Sequence, residues 1–206
     1  HHRHHSVIQV LREMAVDQTH PSQAAASVSF KKKYSLPYGL LLALLALLWL
    51  LPWLSRLSGL ELLAPIAGLP ELPIPAWVWV LAAILFFCAV LLEVKISVMR
   101  KKRGGMDDAH ETNVLIKEGP YKYMRHPGHL AEMTYFSMLP ILISQWVPFT
   151  LTALACMAAM VISYIVMFKQ EDRFNREKWG DEYQRYMDSV PAINFIKGWM
   201  QSRNKT

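Results

Sequence analysis

The sequence predicts an all-α integral membrane protein with about four transmembrane helices, and three observations lead to this prediction. Apolar residues make up 53% of the 206 residues, whereas charged residues make up 18%. The apolar residues form runs long enough to cross a bilayer, and Lys and Arg collect beside those runs. The net charge of +6 therefore indicates loops that face anionic lipid, and it does not indicate a nucleic-acid partner.

The first two predicted spans lie at 38–53 and 76–99. The earlier run has no charged residue, is almost entirely Leu and Ala, and is near the minimum length for a hydrocarbon core of about 30 Å. The later run opens with Trp77 and Trp79, residues that favour a membrane interface. Residues 55–75 hold four prolines, which predicts an interfacial loop with short turns.

The last two predicted spans form a helical hairpin. One begins just after Pro127 and ends near residue 146, the other covers 147–168, and Pro148 marks a tight turn between them. The hairpin should bring the polar segment 115–127 beside the charged segment that begins at Lys169.

The fourth helix should continue past the membrane and end at Gly180, which has the character of a C-terminal cap. A short amphipathic helix is then predicted at 181–191, where Tyr183 and Tyr186 would cover what lies below them.

The distribution of Lys and Arg predicts the orientation in the membrane. The segments 1–37, 55–75, 100–129 and 169–206 contain five, one, seven and eight of them in turn. Because positive loops stay inside, both termini and the 100–129 loop should be cytoplasmic. The chain then divides into a polar, partly disordered lead, two N-terminal spans and a core, with boundaries 1–37, 38–99 and 100–206.

Several polar residues lie at or inside the apolar runs. Glu132 shares a helix face with His129, and a carboxylate at that depth should face protein or a ligand rather than lipid. The position of Glu93 predicts that its side chain snorkels toward the lipid headgroups, and the alternative is that it forms part of the wall of a polar cavity. Cys88 and Cys156 lie inside apolar runs and are predicted to be packing residues. No residues have zinc-ligand spacing, so no metal is expected.

The polar segment and the tail together resemble the integral-membrane methyltransferases, which include the isoprenylcysteine carboxyl methyltransferases and the phospholipid methyltransferases. The resemblance covers about residues 110–198. Its pattern is Gly119-Pro120-Tyr121, Arg125-His126-Pro127, Glu171-Asp172, Phe174, Trp179-Gly180-Asp181-Glu182-Tyr183, Tyr186 and Val190-Pro191.

The resemblance implies a multi-pass enzyme of a bacterial inner membrane or the endoplasmic reticulum, with S-adenosylmethionine as cofactor. The acceptor would be lipidic or a small hydrophobic molecule, with a prenylcysteine carboxylate as one option. The implied cofactor-binding residues are Gly119, Pro120, Tyr121, Arg125, His126, Pro127, Glu171 and Asp172. The candidate catalytic residues are His129, Glu132 and Arg173.

Two departures from the family pattern leave alternatives open. His129 and Ala131 stand where the family usually has Tyr and Gly. The Arg that often precedes the glutamate pair is missing, which leaves Lys169 or Arg173 to meet a substrate carboxylate. The Arg-His-Pro segment with Glu132 also resembles the NADPH-dependent membrane sterol and steroid reductases. A non-catalytic membrane subunit with this fold is the third interpretation.

Overall fold

The computed structural model describes residues 21–103 and 114–203, with side chains described from Tyr38 onward except at residue 63. The histidine-rich start lies outside these residues with the rest of 1–20, whereas 21–37, the remainder of the predicted lead, is helical. By its contacts the chain divides into two units, His1–Pro37 and Tyr38–Thr206. The second unit contains the candidate site, and residues 38–99 and 100–206 belong to it together.

Helices make up nearly all of the regular structure in the described residues. The α-helices are α1 Pro21–Ser58, α2 Ala64–Ala67, α3 Ala76–Lys102, α4 Pro127–Leu142, α5 Leu151–Ser189 and α6 Phe195–Arg203. Two 3₁₀ turns cover Glu61–Leu63 and Gly119–Lys122. The described residues contain no β-strand beyond one isolated bridge between Glu71 and Thr150.

Three helices in the described residues are long and apolar enough to cross a membrane, namely Tyr38–Ser58, Ala76–Lys102 and Leu151–Ser189. Large apolar side chains stay exposed on them, as expected for helix faces that meet lipid. The prediction of a helical membrane protein is confirmed at this level. The predicted third span is α4, whose 16 residues give a length of about 24 Å. This is shorter than the hydrocarbon core, so the count of four spans is not confirmed.

Helices α3 and α4 pack antiparallel along their lengths. The indole N–H of Trp79 donates to the carbonyl oxygen of Leu142 at 3.1 Å. The ring centroids of Phe86 and Tyr135 lie 6.3 Å apart. Further along, a Cβ at residue 128 would lie 3.6 Å from Glu93 Oε2. Each contact moves seven residues down α3 and seven up α4, which keeps the same faces together over about four turns.

The far end of the bundle is closed by the segment between α1 and α3. Trp49 of α1 packs with Val147, Ala153 and Cys156 near the start of α5. The proline-rich segment docks there too, because the N–H of Leu72 donates to the carbonyl of Phe149 at 2.7 Å. The prediction of short turns in this segment is confirmed, since α2 and one 3₁₀ turn are its only helices.

Helix α5 changes direction at Gly180. This residue has φ 55° and ψ −133°, a conformation that is open to glycine and very costly for other residues. The prediction of a break at Gly180 is confirmed. The chain then becomes helical again up to Ser189 and passes through an extended stretch into α6.

Candidate functional site

Asp172 is the centre of the buried polar network that joins α4, α5 and the C-terminal stretch. One of its carboxylate oxygens, Oδ1, accepts from Arg125 Nε at 3.0 Å, His126 Nε2 at 2.8 Å and the Tyr183 hydroxyl at 2.7 Å. Arg125 Nη2 donates to the other oxygen at 2.6 Å. Asp172 and Arg125 side chains are each 8% exposed, so four charge-assisted hydrogen bonds are made away from water.

Arg125 also ties the polar segment to the end of the chain. Its Nη1 donates to the carbonyl oxygens of Met187 and Val190. Its backbone N–H donates to Pro191, and that of His126 donates to Ala192, both at 2.9 Å. All three guanidinium nitrogens thus donate to groups inside the protein, which gives Arg125 a structural role.

A second group of side chains lies on the pocket side of this network. Glu171 Oε2 lies 3.5 Å from His126 Nδ1 and 3.3 Å from His129 Nδ1. The His126 ring stacks on Phe168 with centroids 5.5 Å apart. His126 stands just before Pro127, the first residue of α4, where proline fits because that N–H would have no helical partner. His129 follows one turn later and points to the same side.

The environment fixes the protonation of the polar segment. Burial lowers the pKa of His126, but the hydrogen bonds and charges of Asp172 and Glu171 outweigh it and raise this pKa to about 9. Burial also lowers the pKa of Arg125, and the pairing with Asp172 raises it above its usual value. Burial raises the pKa of Tyr121 to about 12. At neutral pH and with no ligand or metal ion bound, His126 and Arg125 are therefore both cations and Tyr121 is a neutral phenol.

These residues surround a pocket that opens to the outside of the protein, with about 690 Å³ of space that includes its open mouth. Three carboxylates line it, from Glu93, Glu132 and Glu171, together with the guanidiniums of Arg100 and Arg125. Aromatic side chains also line it: Tyr121, Trp179, Tyr183 and Tyr186. The prediction that segments 115–127 and 169 onward meet is confirmed by these contacts.

The predicted site residues divide into three groups. Those that line the pocket are Tyr121, Arg125, His126, His129, Glu132 and Glu171. Four others lie near the pocket without lining it: Gly119, Pro120, Pro127 and Asp172. The prediction of Arg173 as a catalytic residue is corrected, because its side chain is 78% exposed and lies 3.5 Å from Glu177, one turn along the helix. The structure therefore does not bring Arg173 to the pocket, and its proposed catalytic role loses its basis.

The sequence interpretation missed some lining residues that helical spacing could have indicated. Arg100 lies seven residues after Glu93, on the same face of α3, and both line the pocket. The favoured snorkelling of Glu93 is therefore wrong, and the cavity-wall alternative holds. Asn175 lies four residues after Glu171 and was missed in the same way. A polar residue four or seven positions after a candidate site residue lies on the same helix face, and this spacing is the signal that could have identified both.

No protein-family model, curated protein or solved structure matches this chain. The chemistry of the pocket is therefore interpreted from its own residues.

Proposed function

We propose that this protein is an integral-membrane methyltransferase that uses S-adenosylmethionine to methylate a lipidic or small hydrophobic acceptor. The observation that carries the proposal is one pocket that unites the 115–127 segment with Glu171, in a protein with three membrane-length helices. A hydrophobic acceptor would reach such a pocket from the bilayer, and a polar cofactor would reach it from water.

The charges in the pocket suit a cationic methyl donor. S-adenosylmethionine supplies a methyl group on a positively charged sulfur. The carboxylates of Glu93, Glu132 and Glu171 would attract that charge. The aromatic faces that line the pocket would hold the cation and the adenine ring. The three carboxylates disfavour the phosphates of NADPH, and of the two arginines that line the pocket, Arg100 and Arg125, the second is already bound to Asp172.

The catalytic work of the protein is positioning and proton transfer. Methyl transfer is an in-line displacement, so alignment of the acceptor atom with the methyl carbon and exclusion of water supply most of the rate. The acceptor atom forms a bond to carbon, the carbon–sulfur bond breaks, and sulfur becomes neutral. His129 and Glu132 line the pocket, and one of them would take the proton that a neutral acceptor releases.

We also infer that α4 crosses the membrane, which gives four crossings in total and cytoplasmic termini. Its antiparallel contacts run from Glu93 to Trp79 of α3. The residues that follow α4 contact the segment between α1 and α3. A length of about 24 Å is sufficient because its first turn lies in the polar pocket and needs no lipid around it.

Ligand stabilisation in detergent tests the proposed activity. S-adenosylmethionine, or its demethylated product, should stabilise the purified protein by about 2.7 kcal/mol at a concentration 100 times its dissociation constant. Glu171→Gln should weaken this stabilisation, because it removes a carboxylate from the pocket. Glu177→Gln is the matched control on the same helix, since its side chain is 67% exposed, and it should respond like the parent.

The alternatives give different results in the same measurement. Stabilisation by NADPH alone would support a reductase, and stabilisation by none of these ligands would support a non-catalytic subunit. Where the cofactor does bind, radiolabelled methyl transfer onto a prenylcysteine, an amino headgroup lipid and a small thiol would identify the acceptor.

A further inference from the structure

The side chains of His126, His129 and Glu171 bring three metal-ligand atoms together. One such atom from each lies within 4.8 Å of the other two. Two of the separations are 3.3 Å and 3.5 Å, from Glu171 Oε2 to the Nδ1 atoms of His129 and His126. In a tetrahedral zinc site with bonds of about 2.0–2.1 Å, ligand atoms are about 3.3 Å apart. An octahedral site with similar bonds would bring them to about 3.0 Å.

The surroundings of His126 match those of a metal ligand. A histidine that binds a metal generally donates a hydrogen bond from its other ring N–H to an acceptor such as a carboxylate, which fixes the orientation of the ring. His126 does this through Nε2, which lies 2.8 Å from Asp172 Oδ1. Asp172 is itself held by Arg125 and Tyr183. The ring of His126 is further fixed by its stacking on Phe168.

We propose that His126, His129 and Glu171 bind a divalent transition metal ion of the zinc type, with one coordination position open to the pocket. Two histidines and one glutamate form a ligand set that zinc uses in catalytic sites. All three residues line the pocket, so water or an acceptor's oxygen or sulfur atom could occupy the fourth position. An ion there would lower the pKa of that bound group and make it a better nucleophile.

The ion and the cofactor need not exclude each other. The ion would use Oε2 of Glu171, and the second carboxylate oxygen would remain for the cofactor. No zinc-ligand spacing is visible in the sequence because the third ligand comes from a different helix, 42 positions after His129. The expectation of no metal is therefore replaced by this proposal.

Metal content of the full chain tests the site. Because the first five residues include four histidines, the parent for this experiment has His1, His2, His4 and His5 changed to Ala. It is purified without metal-affinity resin, stripped with EDTA, loaded with Zn²⁺ or Co²⁺ and desalted. We expect one ion per chain by mass spectrometry and the intense visible absorption of tetrahedral Co²⁺. His129→Ala and Glu171→Gln should each lower the affinity by a factor of about 100.

Two further variants separate ligation from folding. His129→Cys should keep the ion and add a sulfur-to-cobalt absorption band, because it replaces one ligand with another. Glu93→Gln, which changes a pocket carboxylate outside the ligand set, should bind like the parent. The proposal is overturned if the parent retains no ion, or if His129→Ala binds as tightly as the parent. Cofactor stabilisation measured on the EDTA-stripped protein tests the methyltransferase proposal separately, whichever way the metal result falls.

Discussion

At the scale of single residues, neighbouring acids in α5 do different work. Glu171 and Asp172 were both predicted to bind the cofactor, yet Glu171 lines the pocket while Asp172 lies behind it. Successive helical residues point about 100° apart, and in α5 this rotation turns Glu171 into the pocket and Asp172 away from it. Which of the two faces the pocket depends on the packing of α5 against α4, and the sequence alone cannot supply that rotation.

The network around Asp172 predicts a large difference between two arginines. Arg125→Gln would remove two of the four hydrogen bonds to the buried Asp172 carboxylate together with a buried positive charge, so we expect a loss of about 3–5 kcal/mol in unfolding free energy. Arg103→Gln is the control, because Arg103 pairs with Glu118 at 2.7 Å while both side chains are more than half exposed. That change should cost less than about 1 kcal/mol. Denaturant titration in mild detergent measures both, and equal losses would contradict a structural role for Arg125.

At the scale of the elements, the apolar runs are sufficient to place the long helices but not to determine which faces of those helices pack together. The runs at 38–53 and 76–99 predicted α1 and α3 because charge-free stretches of this length have few other stable environments. Their facing residues depend on side-chain interlocking, so the seven-residue spacing of Glu93 and Arg100 could indicate a shared helix face but not that this face lines the pocket. Helix α4 was predicted too long, since apolar residues continue beyond Leu142 into turns.

The docking of α6 depends on a close approach at Gly198. A Cβ there would lie 1.7 Å from the carbonyl oxygen of Tyr123, so Gly198→Ala forces the backbone of α6 away from the polar segment. We expect a loss of about 1–3 kcal/mol and faster hydrogen exchange at the amides of Phe195–Arg203. Gly39→Ala is the matched control, because nothing lies within 4 Å of its added Cβ. Unchanged exchange in α6 of Gly198→Ala would show that this contact does not hold the helix.

At the scale of the whole molecule, the sequence predicted which segments meet but not the chemistry of the place where they meet. The predicted hairpin places 115–127 beside the segment that begins at Lys169, because two antiparallel helices joined by a short turn return the chain to the side of the membrane where it started. The metal-ligand geometry could not be foreseen, since it depends on distances of a few tenths of an ångström between side chains from separate helices.

The inferred four crossings make a topology prediction. In a background with Cys88→Ala and Cys156→Ala, single cysteines at Leu62 and Gln145 should react with a membrane-impermeant maleimide added outside intact cells. Cysteines at Lys101 and Asp181 should react only after permeabilisation, because they belong to the positively charged side. Labelling of position 145 together with position 101 would show that α4 does not cross.

The break at Gly180 gives one helix two opposing walls of the pocket. In a straight helix, Asp172 and Tyr183 would be separated by about 16 Å along the axis, yet the tyrosine hydroxyl lies 2.7 Å from the carboxylate. The segment after the break therefore folds back over the segment before it, and both carry residues that line the pocket. The two torsion angles of Gly180, which does not itself line the pocket, therefore place Tyr183 and Tyr186 opposite Glu171.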